Sequence, residues 1–253
     1  MSGTLPAAIC VVDTGVSDDV PAAHVIEGVN FSGVGDVADW RDRRATHADA
    51  LCRTLIANHP DAAIVAVRLL DADGTLRQLA ALDRVFAWIM AHRQRLGIRI
   101  AVVAVADLTH NHSDEAYRAT DMRQAVLALR ARGVLTVVPA GNWAETRAGP
   151  GLPWPAILPE AVSVGALDPG TGEAARYSQW LRSDEGGGSL PTLLAKPGPP
   201  GGTSGAAATV AGRLAALMSR HPEDDAEAIL RVLLADTLPV PGPGGGTWPG
   251  LPS

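Results

Sequence analysis

Gly201-Gly202-Thr203-Ser204-Gly205-Ala206-Ala207-Ala208-Thr209-Val210-Ala211-Gly212 places one serine at the head of a run of small residues. After it, Val210, Leu214, Leu217 and Met218 fall at the i, i+4, i+7, i+8 spacing of a helix with one buried face. Ser204 is therefore expected near a helix N-terminus, where free backbone N–H groups and partial positive charge stabilise an anion forming beside its hydroxyl. That setting suits a nucleophile for acyl transfer, and it equally suits a serine N-cap on a core helix. The rest of the chain has to separate the two readings.

Upstream, short apolar runs alternate with helical patterns. Ala7 to Val12 reads as a buried strand ending at Asp13-Thr14-Gly15, and Ala62 to Leu70, Ile98 to Ala106, Val134 to Val138 and Ala161 to Gly165 read as further strands. Between them, helices are expected from Thr46, from about Leu76 to Leu96 with Leu79, Leu82 and Phe86 on one stripe, and from Glu115 to Arg132. A last helix runs from His221-Pro222-Glu223-Asp224 to Leu234. Strands apolar on both faces, alternating with helices, predict a mainly parallel sheet covered by helices on both sides: a three-layer α/β fold. Gly186-Gly187-Gly188 and Pro197 to Gly202 read as flexible or turning connections, and Trp154-Pro155 suits a cis peptide bond. Residues 1–238 are expected to form one domain, and the Pro/Gly-rich 239–253 a loosely ordered tail or linker stub.

At 253 residues, 47% hydrophobic and 19% charged, the chain has the composition of a globular protein with a substantial core. Its net charge of −6, with Lys196 as the only lysine, argues against nucleic acid as a partner. The start lacks the apolar stretch of a secretory signal, and no apolar run is long enough to span a bilayer, so the chain as written is expected to be cytoplasmic; a trimmed leader would leave the same start. Cys10 and Cys52 lie in apolar segments without metal-binding spacing and are expected as reduced, buried thiols.

Three candidates for nucleophilic catalysis now stand in the order Asp13, His47, Ser204, with Asn142 in an Ala140-Gly141-Asn142 turn between the last two. Taken singly, Asp13 could be a turn residue and His47 a structural histidine. The order is informative, because one convergent class of Ser-His-Asp enzymes runs acid, base, nucleophile, whereas the others run differently.

Val11-Val12-Asp13-Thr14-Gly15-Val16, Val137-Val138-Pro139-Ala140-Gly141-Asn142, Val162-Ser163-Val164-Gly165-Ala166 and Gly202-Thr203-Ser204 carry a resemblance, in that order, to the subtilisin-like serine peptidases, the subtilases. The resemblance implies a subtilisin-like fold and a serine endopeptidase working through an acyl-enzyme, with Ser204 as nucleophile, His47 as base, Asp13 as its orienter and Asn142 in the oxyanion hole. It further implies an extended peptide or protein substrate, no cofactor, and a substrate wall near Asp107, Leu108 and Gly141, where the Asp107 carboxylate would favour a basic side chain. No oxygen-rich loop is assignable to calcium, and no metal is expected; His110 and His112 are too few for a site. Around His47 the family's usual H-G-T-H-V-A-G is replaced by His47-Ala48-Asp49-Ala50-Leu51-Cys52-Arg53, and after the serine a large apolar residue is replaced by Gly205. The altered histidine helix leaves open a catalytically silent module that binds an extended peptide. A dedicated precursor peptide is one substrate that fits. The sequence leaves the oligomeric state open.

Overall fold

The structure is a computed structural model describing residues 6–42, 44, 46–78, 80–147, 149–182, 190–242 and 246–252. Its strands are β1 (Ala8–Asp13), β2 (Val25–Asn30), β3 (Ile64–Arg68), β4 (Ile98–Val103), β5 (Leu135–Pro139), β6 (Val162–Ala166), β7 (Leu193–Ala195), β8 (Leu238–Pro241) and β9 (Thr247–Gly250). They form one sheet in the order β2-β3-β1-β4-β5-β6-β7-β9-β8. Every pairing is parallel except β8 with β9.

Alternation along β1 explains the layers. Ile9 and Val11 point into one core with residues of α1 (His47–Asn58), α4 (Gly202–Arg220) and α5 (Ala226–Ala235). Ala8, Cys10 and Val12 point into the other, against α2 (Ala80–Leu96) and α3 (Asp121–Arg130). Each central strand thus buries both faces, which is why the strands read as unbroken apolar runs. The fold is the expected three-layer α/β arrangement.

Several boundaries differ from the sequence reading. The helix expected from Leu76 begins at Ala80, and Leu79, placed on its buried stripe, lies outside the described residues. The helix expected over 115–132 is a 3₁₀ turn at Glu115–Tyr117 followed by α3, because the Thr120 side chain accepts a hydrogen bond from the Arg123 N–H and caps a new start. Strands β2 and β7 went unread: β2 is a half-buried edge strand with Glu27 and Gly28 in its middle, and β7 has three residues. Trp154-Pro155 is cis, as are Leu190-Pro191 and Pro199-Pro200. Gly186-Gly187-Gly188 lies outside the described residues.

The expected loose tail over 239–253 is corrected. Within it β9 pairs with β7 and β8 closes on β9, while Trp248 and Leu251 are 2% and 3% exposed. Composition misled because Pro239 and Pro241 lie on β8, the edge strand, where a missing N–H breaks no ladder on the open side.

Candidate active site

The C-terminal ends of β1, β4 and β5 lie side by side, and the start of α4 comes to them from one layer. Asp13 is the last residue of β1, His47 the first of α1, Ser204 the third of α4, and Asn142 follows β5 by three residues. All four line one cavity of about 970 Å³. Open parallel sheets gather reactive groups at these strand ends, since the loops there are free of the packing that the strands require.

Asp13 has no solvent exposure. Its Oδ1 accepts from the Thr14 N–H at 2.6 Å and the Thr14 hydroxyl at 2.9 Å, and its Oδ2 lies 2.8 Å from His47 Nδ1. A carboxylate accepts, so Nδ1 carries the proton and Nε2 is left free to act as a base. Burial pulls the His47 pKa down, but the hydrogen bond and the charge of Asp13 outweigh it and hold the group above its ordinary 6.5. Among the described residues no hydrogen bond joins the imidazole to the Ser204 hydroxyl, and catalytic groups are often this loose before a substrate arrives.

Asn142 is held in one orientation by Thr203. The Thr203 N–H and hydroxyl donate to Asn142 Oδ1 at 2.9 and 3.1 Å, and the Thr203 oxygen in turn accepts from the Gly141 N–H at 3.1 Å. With Oδ1 doubly occupied, Nδ2 is the end left to donate. Thr203, fully buried, is a residue whose role the sequence reading missed; its place immediately before the serine was the available signal.

The glycine after the serine has a packing cause. A Cβ on Gly205 would stand 2.0 Å from the Gly198 carbonyl oxygen. That carbonyl accepts from the Gly201 N–H at 2.7 Å, and the next is tied to α1 by a 2.6 Å bond from the Thr54 hydroxyl to Pro199 O. The short loop over 196–201 thus lies where a side chain after Ser204 would go.

The family model for subtilases, the Peptidase_S8 family, matches residues 7–244. The chain belongs to the subtilase family. It is 25% identical over 232 residues to subtilisin amylosacchariticus of Bacillus subtilis subsp. amylosacchariticus and to subtilisin J of Geobacillus stearothermophilus. Each match takes in 85% of this chain and 56% of the relative, so the chain spans little more than half the length of these relatives. Among solved structures, a cold adapted subtilisin-like serine proteinase superposes with a TM-score of 0.77 at 19% identity, covering 98% of this chain and 89% of the other. PatG macrocyclase in complex with peptide gives 0.66 at 20% identity, covering 93% and 84%. At these identities the structural likeness speaks for the fold.

In this subtilase the cavity is also lined by Asp107, Trp154, Leu70, Leu76 and Met122. Asp107 Oδ1 accepts from the N–H groups of Trp154 (2.9 Å) and Thr109 (3.1 Å) and from the Thr109 hydroxyl. Gly141 also lines the cavity. Leu108 does not: it is 67% exposed and lies outside the lining. His110 and His112 meet edge to face at 5.3 Å, also away from the lining. Asp83, Asp121, Tyr117 and Trp143 line the cavity and were not anticipated, since they come from separate segments, α2, α3, the 3₁₀ turn and the residue after Asn142, that only tertiary packing brings together. No Lys or Arg is among the described lining residues. No described helix is long and apolar enough to cross a membrane.

Proposed function

We propose that this subtilase is a serine endopeptidase that cleaves an extended peptide or protein substrate, one dedicated partner or precursor peptide being the preferred class. The observation that carries the reading is the 2.8 Å contact between buried Asp13 and His47 Nδ1 in the cavity that Ser204 and Asn142 share. Ser204 Oγ attacks the scissile carbonyl while His47 Nε2 takes its proton, and the imidazolium so formed is stabilised by Asp13. Asn142 Nδ2 and the Ser204 N–H receive the oxyanion. The imidazolium then gives its proton to the leaving amine, and water releases the acyl group by the same steps in reverse. The peptide carried by PatG macrocyclase, a neighbour of the same fold, is in keeping with an extended peptide as ligand.

Asp107 is the proposed specificity residue. Three donors fix one of its oxygens, and the described residues of the cavity it borders include aspartates and aromatic rings but no Lys or Arg, which favours arginine or lysine in the bound peptide. The test of the main reading is labelling by a fluorophosphonate probe, with the modified residue mapped by mass spectrometry. Labelling at Ser204, abolished in Ser204→Ala and His47→Ala, is the expected result. A folded wild type that ignores the probe yet binds an extended peptide with the same affinity as Ser204→Ala would instead be a silent binding module.

A further inference from the structure

Asp49 has no solvent exposure and takes no part in the chemistry proposed above. As the third residue of α1 it completes a capping box: Thr46 Oγ1 accepts from the Asp49 N–H, and Asp49 Oδ2 accepts from the Thr46 N–H at 2.9 Å. A cap needs no more than that. The same carboxylate also accepts from the Ser17 N–H through Oδ1 at 2.8 Å and from the Ser17 hydroxyl through Oδ2 at 2.7 Å. Ser17 lies four residues past Asp13, and Thr46 immediately before His47. One buried side chain therefore joins the two segments that carry the acid and the base.

We propose that Asp49 is a positioning residue that sets His47 against Asp13 by bridging Ser17 to Thr46. This rests on the catalytic role proposed for His47. Burying a carboxylate is costly unless its lone pairs find donors, and here three donors and the positive end of α1 meet the charge. Two neighbouring contacts run the same way: Thr46 Oγ1 donates to Gly15 O at 2.8 Å, and the Ala48 N–H donates to Thr14 Oγ1 at 3.4 Å. Both join the segment after β1 to the first turn of α1. Among the ionisable groups of this cluster, Cys52 is pushed up by burial and then by the charges of Asp49 and Asp13, against Arg53, and stays a thiol.

Asp49→Asn keeps the shape and removes the charge. An amide has one acceptor oxygen, so either the Thr46 or the Ser17 N–H loses its partner. The expected result is a fall in kcat of about 10- to 100-fold, the scale on which small misplacements of reacting groups act, with KM unchanged. The acidic limb of kcat/KM should move down towards 6.5, and the low-field proton resonance of His47 Nδ1–H should broaden or vanish. Ser17→Ala leaves the cap intact and removes one bridging donor, so it should move the same readouts less; it also decides the matter should Asp49→Asn fail to fold. If the variants fold but only lose melting temperature, keeping kcat, the pH limb and the resonance, Asp49 is a helix cap and the proposal falls. The resonance is read without turnover, so a wild type that fails to label at Ser204 would overturn the enzyme reading while leaving this inference testable.

Discussion

Replacing Gly205 by alanine sets two effects of opposite sign against each other. Alanine is the better helix former by about 1 kcal/mol in a helix interior, which on propensity alone would stabilise α4. The new Cβ, however, would stand 2.0 Å from Gly198 O and 3.0 Å from the carbonyl carbon. A carbon and a carbonyl oxygen meet comfortably at about 3.3 Å, so the loop or the helix must move by roughly 1 Å. The Gly198 carbonyl is held by Gly201 N–H and its neighbour by Thr54, and the helix packs on α1 and the sheet, so neither side yields freely. Overpacking of this kind costs about 1–3 kcal/mol, and more when backbone must shift. With both sides held the clash wins, and a net loss of up to about 2 kcal/mol lowers the melting temperature by up to about 8 °C in a domain of this size. Because the displaced residue follows Ser204 directly, probe labelling should slow as well. Calorimetry on both proteins, with labelling rates alongside, makes the comparison. An alanine variant that melts at the same or a higher temperature would mean that propensity prevails and that the loop does not lie against the helix.

Thr203→Val leaves the buried Gly141 N–H without an acceptor, a loss of about 1–3 kcal/mol, and frees Asn142 from one of its two tethers. It should lower kcat with little change in KM, by less than the ~10²- to 10³-fold that removal of an oxyanion donor costs, a range measured in a subtilisin; an unchanged kcat would make Thr203 purely structural. Because His47 titrates above 6.5, the acidic limb of kcat/KM should lie above that value, with activity falling as pH drops through it; a limb below 6.5 would contradict the Asp13 contact. The stability that the same raised pKa supplies has the opposite sense: it is fully present below 6.5 and is lost as pH rises through the folded-state value. Asp107→Asn should weaken any preference for arginine or lysine in a peptide-library cleavage profile, and an identical profile would dispose of that role. Trp248→Ala removes a 2% exposed side chain packed with Leu167 and Leu194 and should cost about 3–5 kcal/mol, whereas a loose tail would leave the melting temperature unchanged.

What could be read along the chain were features with a local cause. Doubly buried parallel strands have to be apolar throughout, so β1, β3, β4, β5 and β6 announce themselves, and the chain order of Asp13, His47 and Ser204 is a property of the sequence as such. The identity of each candidate followed from order and motif. Other features arise between segments distant in the chain. Strands β8 and β9 exist because the edge of β7 offers hydrogen bonds and a hydrophobic contact for Trp248, which proline and glycine content does not reveal. Gly205 is required by a carbonyl seven residues earlier that the loop folds back over it. Thr203 orients Asn142 across a separation of 61 residues, and Asp49 reaches Ser17 across 32. Residue type and spacing determined which groups are candidates for the chemistry. Only the packing of layers decided which ones meet and what holds them there, because hydrogen bonds and steric contacts depend on distances in space that the order of residues does not contain.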